Sequence, residues 1–467
     1  MTTTKPQPPL LSGSYPLIGH LIEMAKDQPA LLRRGQQEKG APYMIKMGKT
    51  PCVVLQGPEH AKVFFQQTDK ALRMNKAYQF LKAIFGNTSF LQSPESYHNQ
   101  RPVQIAPFKR DKMLSYIPII QEEVQRWLDG LGEEGEIQLV DEMRYLTQVV
   151  AAHAMMGKEF RNAMSQEFWD LFMDISNALD PYLPSNWPFP KFIRRDRAKK
   201  RMIEILEPII KERQAHPEKY DDFLQELLMT KTKDGEQLTV HQAIDWVIGF
   251  MFAGHETTYG HGSWLMILLL QNPWYIEHIE KEMDELMPYG TQISIEHIVG
   301  LKHIQWAIDE TERMKPVAPG LFRGVEEPLE LDGYSIPAGS WVMLDTLGAH
   351  YSEKVYTEPE KFDPLRFGPE RDEGKGRFKL TGFGGGIHTC TGKNFAHYEM
   401  KIIASLMLQQ FTWELRTKDP HTVMGKGAAG PSQTTLAYKR KTLTKRTAPQ
   451  ATPAATGCPH MAAAQNA

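Results

Sequence analysis

The residues best placed for chemistry begin with a ten-residue stretch, Phe383-Gly384-Gly385-Gly386-Ile387-His388-Thr389-Cys390-Thr391-Gly392. Three consecutive glycines admit left-handed backbone angles and leave room for a flat partner against the main chain. Cys390 falls just ahead of a helical pattern with apolar residues at Phe395, Met400, Ile403 and Leu406. At a helix start, free N–H groups and the positive dipole end favour a thiolate over a thiol. A shielded, permanently deprotonated cysteine is an axial ligand for haem iron, so Cys390 is the candidate metal ligand. Read alone, the loop could instead hold a buried structural cysteine, the weaker of the two readings. A second group, Ala253-Gly254-His255-Glu256-Thr257-Thr258, lies inside a long apolar helical run. Gly254 in mid-helix costs roughly 1 kcal/mol against alanine. Close passage of the helix over a flat partner would account for it. Ala253 and Thr257 share a face. Glu310 and Arg313 stand one turn apart, and Arg366 follows in Phe362-Asp363-Pro364-Leu365-Arg366-Phe367. By itself such a pair is a surface contact worth roughly a few tenths of a kcal/mol.

The elements that must position these groups are mostly helices. Amphipathic patterns run over residues 31–38, 117–128, 139–156, 166–179, 199–213 and about 240–270. Short strands are expected at 43–46 and 52–56, and again with turns between 331 and 339. Residues 316–323 read as extended, and 404–415 as a buried helix and strand. The basic run 194–201 reads as a solvated helix face. Residues 78–86 are aromatic and poorly periodic, which suits either a lid or an aromatic core patch.

The chain has 467 residues, 41% hydrophobic and 24% charged, with net charge −2. That balance is ordinary for a globular protein and gives no reason to expect nucleic acid as partner. Three cysteines, Cys52, Cys390 and Cys458, make no disulfide framework and suit a reducing compartment. No apolar run reaches signal-peptide or membrane-anchor length; the most apolar stretch, 265–270, is short. A cytoplasmic monomer without a membrane anchor is expected. One domain is expected over 1–446, followed by an Ala/Thr/Pro-rich disordered tail over 447–467 that carries Cys458.

The spacing Phe383-x-x-Gly386-x-His388-x-Cys390-x-Gly392 resembles the haem-ligating signature of the cytochrome P450 family. The resemblance extends over about residues 8–445 through five ordered motifs. It implies a mainly α fold with a small β-rich region, holding one haem b (iron protoporphyrin IX) on Cys390. It implies that Tyr97, Arg101, Ala253, Gly254, Arg323, Phe383, Gly384, His388 and Gly392 bind the cofactor. Tyr97 stands where the family usually has tryptophan. Arg101 and Arg323 are the arginines for the propionates, and Phe108 falls at the expected distance. Glu310, Arg313 and Arg366 would form a buried network that holds the cysteine loop. Thr257 would hydrogen-bond iron-bound dioxygen, and Glu256 would feed protons inward from solvent. Tyr78, Phe80, Phe85, Phe90, Ala253, Val317 and Leu321 would line the substrate pocket. Tyr78-x-Phe80 to Phe85-Gly86 resembles the sterol 14α-demethylase subgroup, whereas Glu256 stands where that subgroup usually has histidine.

The implied activity is insertion of one oxygen atom of O2 into a large apolar substrate: a sterol, terpenoid or fatty acid. Electrons would come from a ferredoxin or flavodoxin with its reductase. Two alternatives stand beside it. One is a peroxygenase driven by hydrogen peroxide, against which the Glu256-Thr257 pair argues. The other is a non-catalytic haem sensor or carrier, read through Cys458.

Overall fold

The computed structural model describes residues 5–443 apart from 165, 182, 425 and 426. The tail with Cys458 and the domain end at 446 lie outside them. The architecture is mainly helical, with its strands gathered in small sheets. Its central element is the helix Val240–Gln271. Thr239 accepts a hydrogen bond from the Gln242 N–H while the Gln242 side chain returns to the Thr239 backbone, a reciprocal cap that fixes where the helix begins. Beyond the cap, apolar side chains face every direction, so the helix is buried along most of its length. It packs along Leu139–Met156 and against Pro190–Ala215, Lys302–Met314 and Lys393–Gln410, and one continuous core joins them. A Cβ at Gly260 would stand 2.9 Å from the Ala429 carbonyl, so this glycine admits the strand Ala429–Pro431 against the helix.

The β side is a five-stranded sheet in the order Tyr43–Met47, Thr50–Leu55, Trp341–Asp345, Gly320–Val325, Leu72–Arg73. The first two form an antiparallel hairpin from Tyr43↔Val54 to Met47↔Thr50. Thr50–Leu55 then runs parallel to Trp341–Asp345. Cys52 is fully buried in this sheet, where burial pushes its thiol up, as a small core residue requires. The extended segment expected at 316–323 supplies Gly320–Val325, which places Arg323 in the sheet. A separate hairpin, Leu329–Leu331 with Tyr334–Ile336, turns at Asp332-Gly333.

In keeping with its poor periodicity, the aromatic stretch from residue 78 forms no single element; the short helical turns Gln79–Leu81, Lys82–Phe85 and Ser89–Leu91 succeed one another. One expectation changes. The basic run lies on the helix Pro190–Ala215, but Arg195 is buried. Its Nη2 donates to the Ser185 carbonyl at 2.9 Å, and its guanidinium covers the Phe192 ring. Among the described residues, no helix is long and apolar enough to cross a membrane.

Candidate active site

The cysteine loop is tied down along its length. Gly384 and Gly386 take φ of 74° and 64°, the left-handed angles expected of them. Gly385 has a different reason: a Cβ there would stand 2.8 Å from the Phe65 ring, so its open side admits Phe65, not a flat ligand. The Cys390 N–H donates to the Phe383 carbonyl at 2.9 Å and closes the loop. Tyr97, on the helix Pro94–Ile105, donates its hydroxyl to the Ile387 carbonyl at 3.0 Å and stacks on His388 with centroids 4.2 Å apart. His388 Nε2 meets the Asp69 carboxylate at 3.0 Å. Phe108 lies 3.7 Å from where a Gly392 Cβ would be.

Cys390 keeps exposed surface, yet protein crowds its thiol closely enough that burial outweighs every other influence on it. Burial pushes the thiol up; the Gly392 and Lys393 N–H groups and the Lys393 charge recover only part of that. A metal cation on the sulfur would act with these groups to favour the thiolate.

Beneath the loop, Glu310, Arg313 and Arg366 have no exposed side-chain surface. Arg313 grips the Glu310 carboxylate through Nε at 2.7 Å and Nη2 at 2.9 Å. Arg366 Nε approaches it at 3.0 Å and Nη1 reaches Glu373 at 2.8 Å. The Asp363 N–H completes the shell at 2.8 Å. Two acids and two guanidiniums balance in charge, so the pair expected from sequence is a satisfied buried network. His350, read as structural, links it to the loop. Its Nδ1–H donates to the Arg313 carbonyl at 3.2 Å, and its Nε2 accepts the Thr381 N–H at 3.0 Å. Glu312, not singled out from sequence, accepts the Phe383 N–H at 3.3 Å.

On the long helix, Ala253 is exposed and Thr257 half-buried, although Met251, His255, Glu256 and Thr258 around them are buried. One face of the helix thus opens onto space within the protein. Thr257 Oγ1 donates to the Ala253 carbonyl at 2.6 Å, which leaves its oxygen free to accept. Gly254 points elsewhere: a Cβ there would stand 3.2 Å from Met155 Cε, so its missing side chain serves packing against Leu139–Met156 and not passage over a cofactor. Buried Glu256 approaches His255 Nδ1 at 3.6 Å, and its charge adds to burial, the larger cause, in raising the Tyr259 phenol. The Tyr259 hydroxyl also meets Arg144 Nη2 at 3.1 Å. Arg144 lines a cleft of about 470 Å³ together with Tyr145, Gln148 and Trp169.

Arg101 and Arg323 have no carboxylate within ion-pair reach among the described residues. Arg101 bonds Gln104 at 2.8 Å and lies over Tyr97. Arg323 is buried; its Nε meets Thr68 at 3.2 Å and its Nη1 donates to the Phe322 carbonyl at 2.7 Å. Arg73, opposite Gly324 in the sheet, has a buried Nη1 with no partner. Sequence reasoning passed over it because nothing distinguishes it from a surface arginine until the strand pairing is known.

Of the apolar residues, Tyr78 packs edge-on to Phe90 and near Phe80, and its hydroxyl accepts the Phe322 N–H at 3.1 Å beside Leu321. Val317 sits against Gly260 on the long helix. Phe85 departs from this set: it is buried in the core against Phe252, centroids 5.0 Å apart.

These residues fit an anionic flat group held through a metal. Cys390 keeps accessible surface at the start of a helix, guanidiniums with no carboxylate in ion-pair reach among the described residues lie near the loop and in the adjoining sheet, and Ala253 and Thr257 leave one face of the long helix less buried than its neighbours. A family model described as Cytochrome P450 matches residues 8–439, and the chain belongs to that family. It is therefore a monooxygenase with a haem-iron cofactor that uses O2, a substrate and a redox partner. Among curated proteins it is similar to the sterol 14α-demethylase of Mycolicibacterium vanbaalenii, 28% identical over 94% of this chain and 99% of that one. It is equally similar to the Arabidopsis thaliana sterol 14-demethylase, 28% over 93% and 92%, and to the Bos taurus lanosterol 14-alpha demethylase, 28% over 89% and 84%. Among solved structures, retinoic acid-bound cyanobacterial CYP120A1 superposes with a TM-score of 0.86 at 24% identity, covering 94% of this chain and all of that one.

Proposed function

We propose that Cys390 ligates the iron of haem b and that the enzyme oxygenates a large apolar substrate: a sterol, terpenoid or fatty acid. The observation that carries this reading is Cys390, held by its loop at the start of a helix with surface left accessible, together with Arg101 and Arg323, which have no carboxylate in ion-pair reach among the described residues. Arg101 and Arg323 would take the propionates, with Arg73 as a third cation beside them. When bound, the haem supplies the oxygen chemistry, using O2 and two electrons to place one oxygen atom in the substrate and release the other as water.

The chain's own groups orient the substrate and handle protons. Tyr78, Phe80, Phe90, Val317 and Leu321 offer an apolar lining, in keeping with the sterol demethylases among the relatives. Glu256 in place of histidine favours hydroxylation of a related apolar skeleton over the subgroup's own reaction. Thr257 holds its oxygen toward the open face, and Glu256 delivers protons drawn through Tyr259 from the Arg144 cleft. Electrons come from a ferredoxin or flavodoxin with its reductase, and the enzyme works as a cytoplasmic monomer.

The first test is the carbon monoxide difference spectrum of the dithionite-reduced protein. A strongly red-shifted Soret band is expected, lost in Cys390→Ser. A band at the ordinary haem position in the unaltered protein overturns the ligand assignment. Spin-state titration with one sterol, one diterpenoid and one long-chain fatty acid then tests the substrate class; no shift with any of them refutes it.

A further inference from the structure

Asp309 and Glu312 lie one turn apart on the helix Lys302–Met314, and His397 faces them from the helix Lys393–Gln410. One oxygen from each acid and one imidazole nitrogen lie within 4.8 Å of one another. Glu312 Oε2 and His397 Nε2 are buried and have no hydrogen-bond partner, though both residues are more than nine-tenths buried. Neither carboxylate has a lysine or arginine within ion-pair reach among the described residues. Lys393, the nearest cation by its influence on all three, lies over the Phe383 ring. The Gln305 amide nitrogen donates to Asp309 at 3.0 Å and meets His397 Nδ1 at 3.1 Å, so one side chain ties the imidazole to the first acid and leaves Nε2 without a partner.

We propose that Asp309, Glu312 and His397 form a binding site for one divalent transition-metal ion of the zinc class, separate from the haem. Two carboxylates balance a dication. An imidazole ligand selects against magnesium and calcium and suits zinc, which takes three such ligands plus water. Ligands about 2 Å from a tetrahedral ion stand about 3.3 Å apart, so side-chain adjustments of about an ångström complete the site. Burial pushes Asp309 up to about 6 and Glu312 up to about 7, the behaviour of desolvated acids that a dication would relieve. Bound there, the ion would join the helix bearing Glu310 and Arg313 to the helix that follows Cys390. It would do so beside Phe383, whose ring lies 5.1 Å from that of His397.

The test uses the haem-loaded protein, so that Cys390 is not available to added metal. After EDTA dialysis, zinc chloride is added in slight excess, free metal is removed by gel filtration, and zinc and iron are counted by mass spectrometry. One zinc per chain is expected, with Asp309→Asn and His397→Gln binding at least tenfold more weakly at unchanged iron content. Zinc-edge X-ray absorption should show oxygen with a single imidazole and no sulfur, which decides the matter even if a variant fails to fold. No retained zinc, equal retention in both variants, or a sulfur-containing shell overturns the site. None of these outcomes depends on the substrate or on turnover.

Discussion

At the scale of single residues, proton handling is the sharpest expectation. Glu256 is buried, so the proposed delivery of protons to Thr257 needs a way in, and Tyr259, whose hydroxyl meets Arg144 of the surface cleft, is the proposed link. Thr257→Ala should uncouple the enzyme, with more peroxide and less product per electron pair. Tyr259→Phe removes only a hydroxyl and should do the same more mildly, by roughly 2–10-fold, within the range that positioned proton transfer contributes. Coupling unchanged in both variants would remove Thr257 and Tyr259 from the path. His350 gives a stability prediction of known sign. Burial, with the Arg313 charge next, pushes it down to about 3 from an ordinary 6.5. The unfolded chain therefore binds the extra proton between about pH 6.5 and 3. His350's contribution is complete above 6.5 and is lost as pH falls through that window. Between pH 7 and 4.5 the protein should lose roughly 2–3 kcal/mol that His350→Phe does not lose, read from urea melts at both pH values.

At the scale of elements, the Glu310 network decides whether the cysteine loop has a floor. Glu310→Gln leaves two buried guanidiniums around a neutral amide and should cost about 3–5 kcal/mol, with loss of haem on purification. Glu122→Gln removes an exposed partner of Arg126 and should cost under about 1 kcal/mol, which makes it the control. The sequence made this network legible because Glu310, Arg313 and Arg366 keep a fixed order ahead of Cys390. The helix 139–156 was legible to the residue, and the long helix to within one, because apolar periodicity marks them. Residues 78–90 were not legible as structure. Their turns are set by packing against Phe322 and Phe252, which no local pattern announces. Gly254 was misread for a related reason: periodicity shows that a helix is there, but not which neighbour each face meets. Asp309, Glu312 and His397 were invisible for the same reason, since two helices 80 residues apart in the chain must pack before the three side chains meet.

At the scale of the whole molecule, the cofactor would act as a structural element. Arg101, Arg323 and Arg73 are cations near the loop and in the adjoining sheet with no carboxylate in ion-pair reach among the described residues, while Ala253 and Cys390 keep exposed surface. A dianionic, largely apolar group there would offset the charge and cover the apolar walls. A ligand that binds only the folded state stabilises it in proportion to the logarithm of its excess over the dissociation constant. Removing haem should therefore lower Tm by several degrees, and the loss should be uneven. Hydrogen exchange should accelerate most in residues 78–91, 316–323 and 383–392, whose contacts converge on the site. The Leu139–Met156 helix, packed into the main core, should keep its protection. Equal acceleration in both regions would mean that haem stabilises the fold as one unit. Unchanged exchange at 383–392 would mean that the loop is held by Tyr97, His350 and Glu312 alone.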